Sequence, residues 1–242
     1  MITVLRRLAR RALPEGPRLA VARTRRGLRD VVTGDARRLA RRGSGSTAPD
    51  HRVVEVVQPI RNTAFVEGKL ANIRLGAARL DGVTVAPGEI FSFWALVGRP
   101  SAAAGFAIGR SLRSGAIAGE IGGGLCQVSG IAYELLLRAG LDPIERHPHS
   151  RDLYAEEERF TPLGLDATVV WPYRDLRLAN RLGVPVMLRL AVDAMTLRAS
   201  LHAPVAIVPA SLAIERTDHP GRRAVRVTRN GAPVSDDLYT VA

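Results

Sequence analysis

A single cysteine, Cys126, occurs in 242 residues. An intramolecular disulfide is excluded, and cysteine usage leaves the redox compartment open. Aromatic residues make up only 5% of the chain, with three Met and five Phe, so Leu, Val, Ile and Ala must build the core. No apolar run approaches the roughly 18 residues of a membrane span. Arg interrupts every N-terminal stretch that could supply the continuous apolar segment of about 7–15 residues in a secretory signal. These absences point to a cytoplasmic protein or one peripheral to the inner membrane face. Acidic residues are scarce in one region. Residues 1–52 hold 14 Arg against Glu15, Asp30, Asp35 and Asp50, a balance of +10. The other 190 residues carry 21 basic and 19 acidic groups, a balance of +2. The net charge of +12 therefore belongs to a leader, and no nucleic-acid partner is expected.

Residues 1–52 read as this Arg-rich leader and a linker, and residues 53–242 as the folded domain. Val4, Leu5, Leu8 and Ala12 share one helical face until Pro14 stops the pattern. Such a helix can lie on an anionic membrane surface, with residues 1–42 as the contact. A solvated, partly disordered tail is the other reading, because Gly27 and Gly34 weaken a longer helix. Gly43–Pro49 is a linker. Val53–Val57 reads as a strand and Leu70–Leu80 as a helix, with Leu70, Ile73, Ala77 and Leu80 on one face. Val83–Val85 and Ile90–Trp94 read as extended, and residues 98–120 show no strong period. Val128–Ala139 reads as a helix ended by Gly140. Asp142–His149 and Ala167–Trp171 read as strands. Val184–Val192 and Thr196–His202 form a hairpin, and Asn230-Gly231 marks another. Without a regular βαβ rhythm, the fold class is α+β: one mixed domain with antiparallel sheet and a few helices.

The chemistry centres on Gly122-Gly123-Gly124-Leu125-Cys126-Gln127, where a glycine run yields to a helix. A thiol attacks carbonyls as its thiolate, and a helix N-terminus favours the anion. Glycine backbone can approach a substrate closely and offer N–H groups to an oxyanion. Equally, a lone Cys commonly packs as a small hydrophobe, and a glycine run can merely close a turn. A nucleophilic thiol needs a proton partner. His147 and His149 lie two residues apart, a spacing that puts both on one face of an extended segment. A zinc site of Cys126 and this pair lacks a fourth ligand, and surface histidines without a role are a further reading. Asp166 could orient an imidazole or cap a turn. Arg146 could clamp a carboxylate or pair with Glu145.

These residues resemble the VanW family, named after an accessory protein of vancomycin-resistance clusters. The matching segments are Pro87-Gly88-Glu89-Ile90-Phe91-Ser92-Phe93, Val97-Gly98, Gly105-Phe106, Gly122–Ser129, Glu145–Ser150, Tyr154, Gly164–Val169 and Asn180. They cover roughly residues 60–200. The resemblance implies cell-wall chemistry: a cysteine-dependent L,D-transpeptidase acting on a peptidoglycan stem peptide or precursor through a Cys126 thioester. It implies His149 as first choice of base, His147 as second, and Asp166 as orienting carboxylate. It places oxyanion and substrate contacts at Gly123, Gly124, Gln127, Ser129, Arg146 and Tyr154. No metal or cofactor is expected. Three departures stand out: no extra N-terminal domains or anchor, a long acidic segment at Ala155–Leu163, and no export signal although the implied substrate belongs to the cell envelope. The alternative function is a binding module for a stem peptide or precursor, with Cys126 merely packed.

Overall fold

A computed structural model describes residues 14–43, 51–113, 116–152 and 159–241. Helix α1 spans Glu15–Val32, strand β1 His51–Pro59 and helix α2 Val66–Leu80. Strands β2 (Thr84–Val85) and β3 (Ile90–Ser92) precede the short helix α3, Phe93–Val97. A hairpin of β4 (Ile108–Arg113) and β5 (Ala116–Ile121) leads into helix α4, Leu125–Arg138. Then come β6 (Asp142–Glu145), β7 (Arg151–Asp152) and β8 (Arg177–Ala179). The chain closes with β9 (Val186–Asp193), β10 (Thr196–Ala203), β11 (Leu212–His219), β12 (Arg222–Arg229) and β13 (Ala232–Val241).

The α+β expectation holds. The main sheet runs β1-β10-β9-β2, all antiparallel. Alternation along β10 turns Leu197, Ala199, Leu201 and Ala203 inward. Helices α2 and α4 pack against this sheet and each other. Their approach is close because Gly76 lacks a side chain; a Cβ there would lie 2.8 Å from a Leu125 methyl. Helix α4 is apolar on nearly every side, with Val128, Ile131, Leu135 and Leu136 at zero exposure. A helix of that composition belongs inside a core. A second sheet, β11-β12-β13-β7, is a meander with β7 added in parallel. Its Asn230-Gly231 turn has positive φ at both residues, as the sequence predicts. The Val184–Val192 and Thr196–His202 hairpin also forms, turning through Ala194 at φ 46°.

Elsewhere local chemistry overrides pattern. Extension ends at Ser92 rather than Trp94, because the Ser92 hydroxyl accepts from Ala95 N–H at 3.2 Å and caps α3. Asp142–His149 is a strand only to Glu145: β6 carries an irregularity after Pro143, and Pro148 has no N–H to donate. Ala167–Trp171 is not a strand; its one bridge joins Val170 to Arg174. The stretch at 98–120 contains the β4–β5 hairpin. Helix α1 continues through Gly27 despite its low propensity, because the body anchors it. Arg26 donates to both Glu145 carboxylate oxygens at 2.8 and 2.9 Å, and Arg177 to both Asp30 oxygens at 2.6 and 2.9 Å. The Val4–Ala12 face and most of the Gly43–Pro49 linker lie outside the described residues. Among the described residues, no helix is long and apolar enough to cross a membrane.

Candidate active site

The glycine turn before α4 has no room for side chains. Gly124 sits at φ 103°, and a Cβ at Gly123 would lie 2.2 Å from the Gly109 carbonyl oxygen. Asn72 on α2 pins the turn by donating to Gly123 O and Ala107 O, each at 2.9 Å. The chain enters α4 with Cys126 as its second residue. Cys126 is half-buried and lines a cleft of about 840 Å³. Its S–H donates to Val169 O at 3.8 Å. The N–H groups of Gly123 and Gln127 are spent on Glu120 O and Gly124 O, at 2.9 and 3.0 Å. Among the described residues, those of Gly124 and Cys126 have no backbone acceptor. A helix start leaves such donors open, and they are the ones suited to a developing oxyanion.

His149 follows β6 and lines the same cleft. The charge of Cys126 acts on its imidazole. Its Nδ1 stands 2.7 Å from Asp166 Oδ2, and the His149 backbone N–H donates to that same oxygen at 2.6 Å. Both ends of the residue are thus held by one carboxylate, which fixes the ring. Asp166 Oδ1 accepts from Tyr239 O–H at 2.6 Å, Arg146 at 3.1 Å and Gly164 N–H at 3.2 Å. Thiol, imidazole and carboxylate therefore share one cleft, with the imidazole oriented by the carboxylate as in a nucleophile–base–acid set.

The other sequence-predicted residues fall elsewhere. His147 faces away: its Nε2 stands 3.0 Å from Glu145, and its carbonyl accepts from Thr168 N–H at 2.7 Å. The two histidines diverge because the segment beyond Glu145 is no longer extended. Arg146 cannot clamp a substrate, because its guanidinium is 5% exposed and committed to Asp166 and Asp237. The Ser129 hydroxyl is buried against Ala167 O at 2.6 Å, tying α4 to the 164–169 segment. Gln127 lines the cleft but is 3% exposed, its amide donating to Pro59 O at 2.9 Å. Gly123 shapes the turn, and Tyr154 lies outside the described residues. Among those residues, no group of three or more His, Cys, Asp or Glu is arranged to hold a metal.

Three features escaped the sequence. Tyr239 and Asp237, on β13, complete the surroundings of Asp166 and Arg146 from a hundred residues beyond the cysteine. Trp94 and Trp171, the two tryptophans of the chain, line the cleft with ring centroids 5.8 Å apart. Lys69 lines it too; burial, then the like charges of Arg110 and Arg61, bring its pKa down to about 8. Only Lys69 had a visible signal, as the one lysine beside 34 arginines.

The electrostatics give a pH prediction. Burial works against a charged His149, but Asp166 and Cys126 outweigh burial and push its pKa from 6.5 up to about 10. A group whose pKa rises on folding stabilises the fold fully below its unfolded value, and the gain is lost as pH climbs through the folded value. Stability is therefore expected to decline between pH 6.5 and about 10, and His149→Gln to flatten that decline. Asp166 acts at the opposite end. Burial would raise it, but His149, Arg146 and Tyr239 hold it well below the ordinary carboxylate range. Its contribution is present above the ordinary value and disappears as pH falls through the folded one. Urea unfolding in steps of pH measures both limbs; an alkaline limb unchanged by His149→Gln would refute the assignment.

Comparison with known proteins places these elements in a family. The family described as "VanW like protein" matches residues 68–202. The chain is 35% identical over 118 residues to "Uncharacterized protein YoaR" of Bacillus subtilis (strain 168), covering 49% of this chain and 37% of that protein. It is 32% identical over 116 residues to "Vancomycin B-type resistance protein VanW" of Enterococcus faecalis (strain ATCC 700802 / V583), covering 48% and 42%. The chain thus spans about two fifths of the length of these relatives. No solved structure matches. With the matched region running from α2 through the glycine turn, Cys126, His149 and Asp166, the chain belongs to the VanW family.

Proposed function

We propose that this protein is a cysteine acyltransferase of the L,D-transpeptidase kind, acting on peptidoglycan stem peptides. The observation that carries the reading is Cys126 at the start of a helix in the same cleft as an Asp166-held His149, a cleft large enough for a peptide. One relative is named for vancomycin resistance, which supports a cell-wall-related role for this chain. In the first step Cys126 attacks the carbonyl carbon of the third stem residue as the thiolate, beside a His149 that its raised pKa keeps protonated. The Gly124 and Cys126 N–H groups receive the resulting oxyanion. The C–N bond to the terminal D-alanine then breaks. His149 returns its proton to that nitrogen, and a thioester remains. An acceptor amine attacks the thioester and loses its proton to His149, and the sulfur leaves as the thiolate as the cross-link forms. Water in place of the amine gives hydrolysis. Asp166 stays ionised and keeps the imidazole oriented.

Intact mass of the protein after incubation with a tetrapeptide stem tests this. An adduct of the peptide lacking one alanine is expected, and none with Cys126→Ala. Absence of any adduct at saturating peptide would leave a binding module as the better description.

A further inference from the structure

Lys69 sits on the first turn of α2, 7% exposed, in the wall of the cleft that holds Cys126. Its stem presses on the glycine turn: a Cβ at Gly124 would lie 2.8 Å from Lys69 Cγ. The ammonium donates to Arg61 O at 3.5 Å and stands 6.0 Å from the centre of the Phe160 ring. No carboxylate among the described residues pairs with it. The charges that act on it, Arg110 and Arg61, have its own sign. Burying a cation without an anion is costly. Arg146 and Arg177, buried to the same degree, each have two carboxylates, and buried Arg159 pairs with Asp152. Lys69 is the exception, and it faces the cleft.

An anion arriving with the substrate would supply the missing charge. In acyl transfer from a C-terminal residue, the leaving group's carboxylate carbon lies about 4 Å from the attacked carbonyl carbon, and Lys Nζ lies about as far from its own Cγ. A cation rooted beside Gly124 is therefore in range of that carboxylate when the oxyanion occupies the turn. We propose that Lys69 forms a carboxylate subsite of the cleft, holding the free α-carboxylate of the residue that departs. The assignment rests on the acyltransfer reading above for its orientation. It predicts a preference for substrates ending in a free acid.

The two tryptophans lining the cleft provide a direct readout. The full chain carrying Cys126→Ala would be titrated with N-acetyl-D-alanine and with N-acetyl-D-alaninamide while tryptophan fluorescence is followed. The acid should saturate at roughly tenfold lower concentration than the amide, as a charge-assisted bond allows. Lys69→Met should abolish the difference, and Lys69→Arg should keep part of it. Lys69→Met should also raise Tm, because it removes an uncompensated charge from a buried position. Equal responses to acid and amide, no saturable response to the acid, a preference surviving Lys69→Met, or a lowered Tm would each overturn the subsite. The two proposals fail separately. Acid preference without a stem-peptide adduct sinks acyl transfer alone. Equal adduct formation from free-acid and amidated stems sinks the subsite alone.

Discussion

Replacing His149 with alanine is expected to slow thioester formation by on the order of 10³-fold, within the range that a positioned acid–base group supplies. The expectation follows from a ring with no freedom. Asp166 holds Nδ1 at 2.7 Å and the backbone N–H of the same residue at 2.6 Å. No other histidine can substitute. His147 is turned toward Glu145 at 3.0 Å, and His202 pairs with Ser200 at 3.0 Å on the main sheet. His147→Ala should accordingly leave the rate unchanged, which makes the pair of variants informative together. Adduct growth with time, followed by intact mass, measures both. Equal slowing by the two substitutions would mean that the effect is structural, and an unimpaired His149→Ala would remove the imidazole from the mechanism. Asp166→Asn should fall in the same direction, because an amide cannot stabilise the imidazolium.

Arg146→Met should be the most destabilising single change, at about 3–5 kcal/mol, the cost of stranding buried charges without their partner. The guanidinium, at 5% exposure, is the cation shared by Asp166 and Asp237, which are 11% and 7% exposed. It also donates to the Asp166 carbonyl at 2.7 Å and lies 5.3 Å from the centre of the Tyr133 ring. Methionine fills much of the volume but returns none of the charge. Lysine keeps the charge but lacks the planar fork that reaches four acceptors at once, so Arg146→Lys should restore only part of the loss. Urea unfolding at neutral pH gives the difference from the shift in midpoint at constant slope. A loss under about 1 kcal/mol would show that the carboxylates find compensation elsewhere. The variant should also acylate more slowly, because Asp166 would lose one of the three donors that fix Oδ1.

Much of this was legible residue by residue. The glycine run, the thiol at a helix start and the histidine pair at 147 and 149 can each be picked out by residue type, because each answers a local chemical demand. So can the hairpin at Asn230-Gly231, whose turn requires positive φ. Arg146 and Ser129 show the opposite. Both belong to the segments that resemble the family, and both proved to be buried supports, since residue type does not reveal which side of a chain faces a cleft. The two histidines make the same point at closer range. Their spacing places them together only if the segment is a strand, and Pro148 and the irregularity after Pro143 prevent that.

The sequence alone determined the mixed fold class, the confinement of basic charge to the first 52 residues, and the element on which Cys126 sits. These rest on composition, short-range periodicity and backbone geometry, which act over a few residues. Only the tertiary structure decided which histidine meets the sulfur, that β13 supplies Tyr239 and Asp237 to the carboxylate, and that the one lysine lies buried in the cleft wall. Those outcomes depend on contacts between residues as far apart as 93 positions. They are set by how α2, α4 and the sheets pack, and no local pattern encodes that.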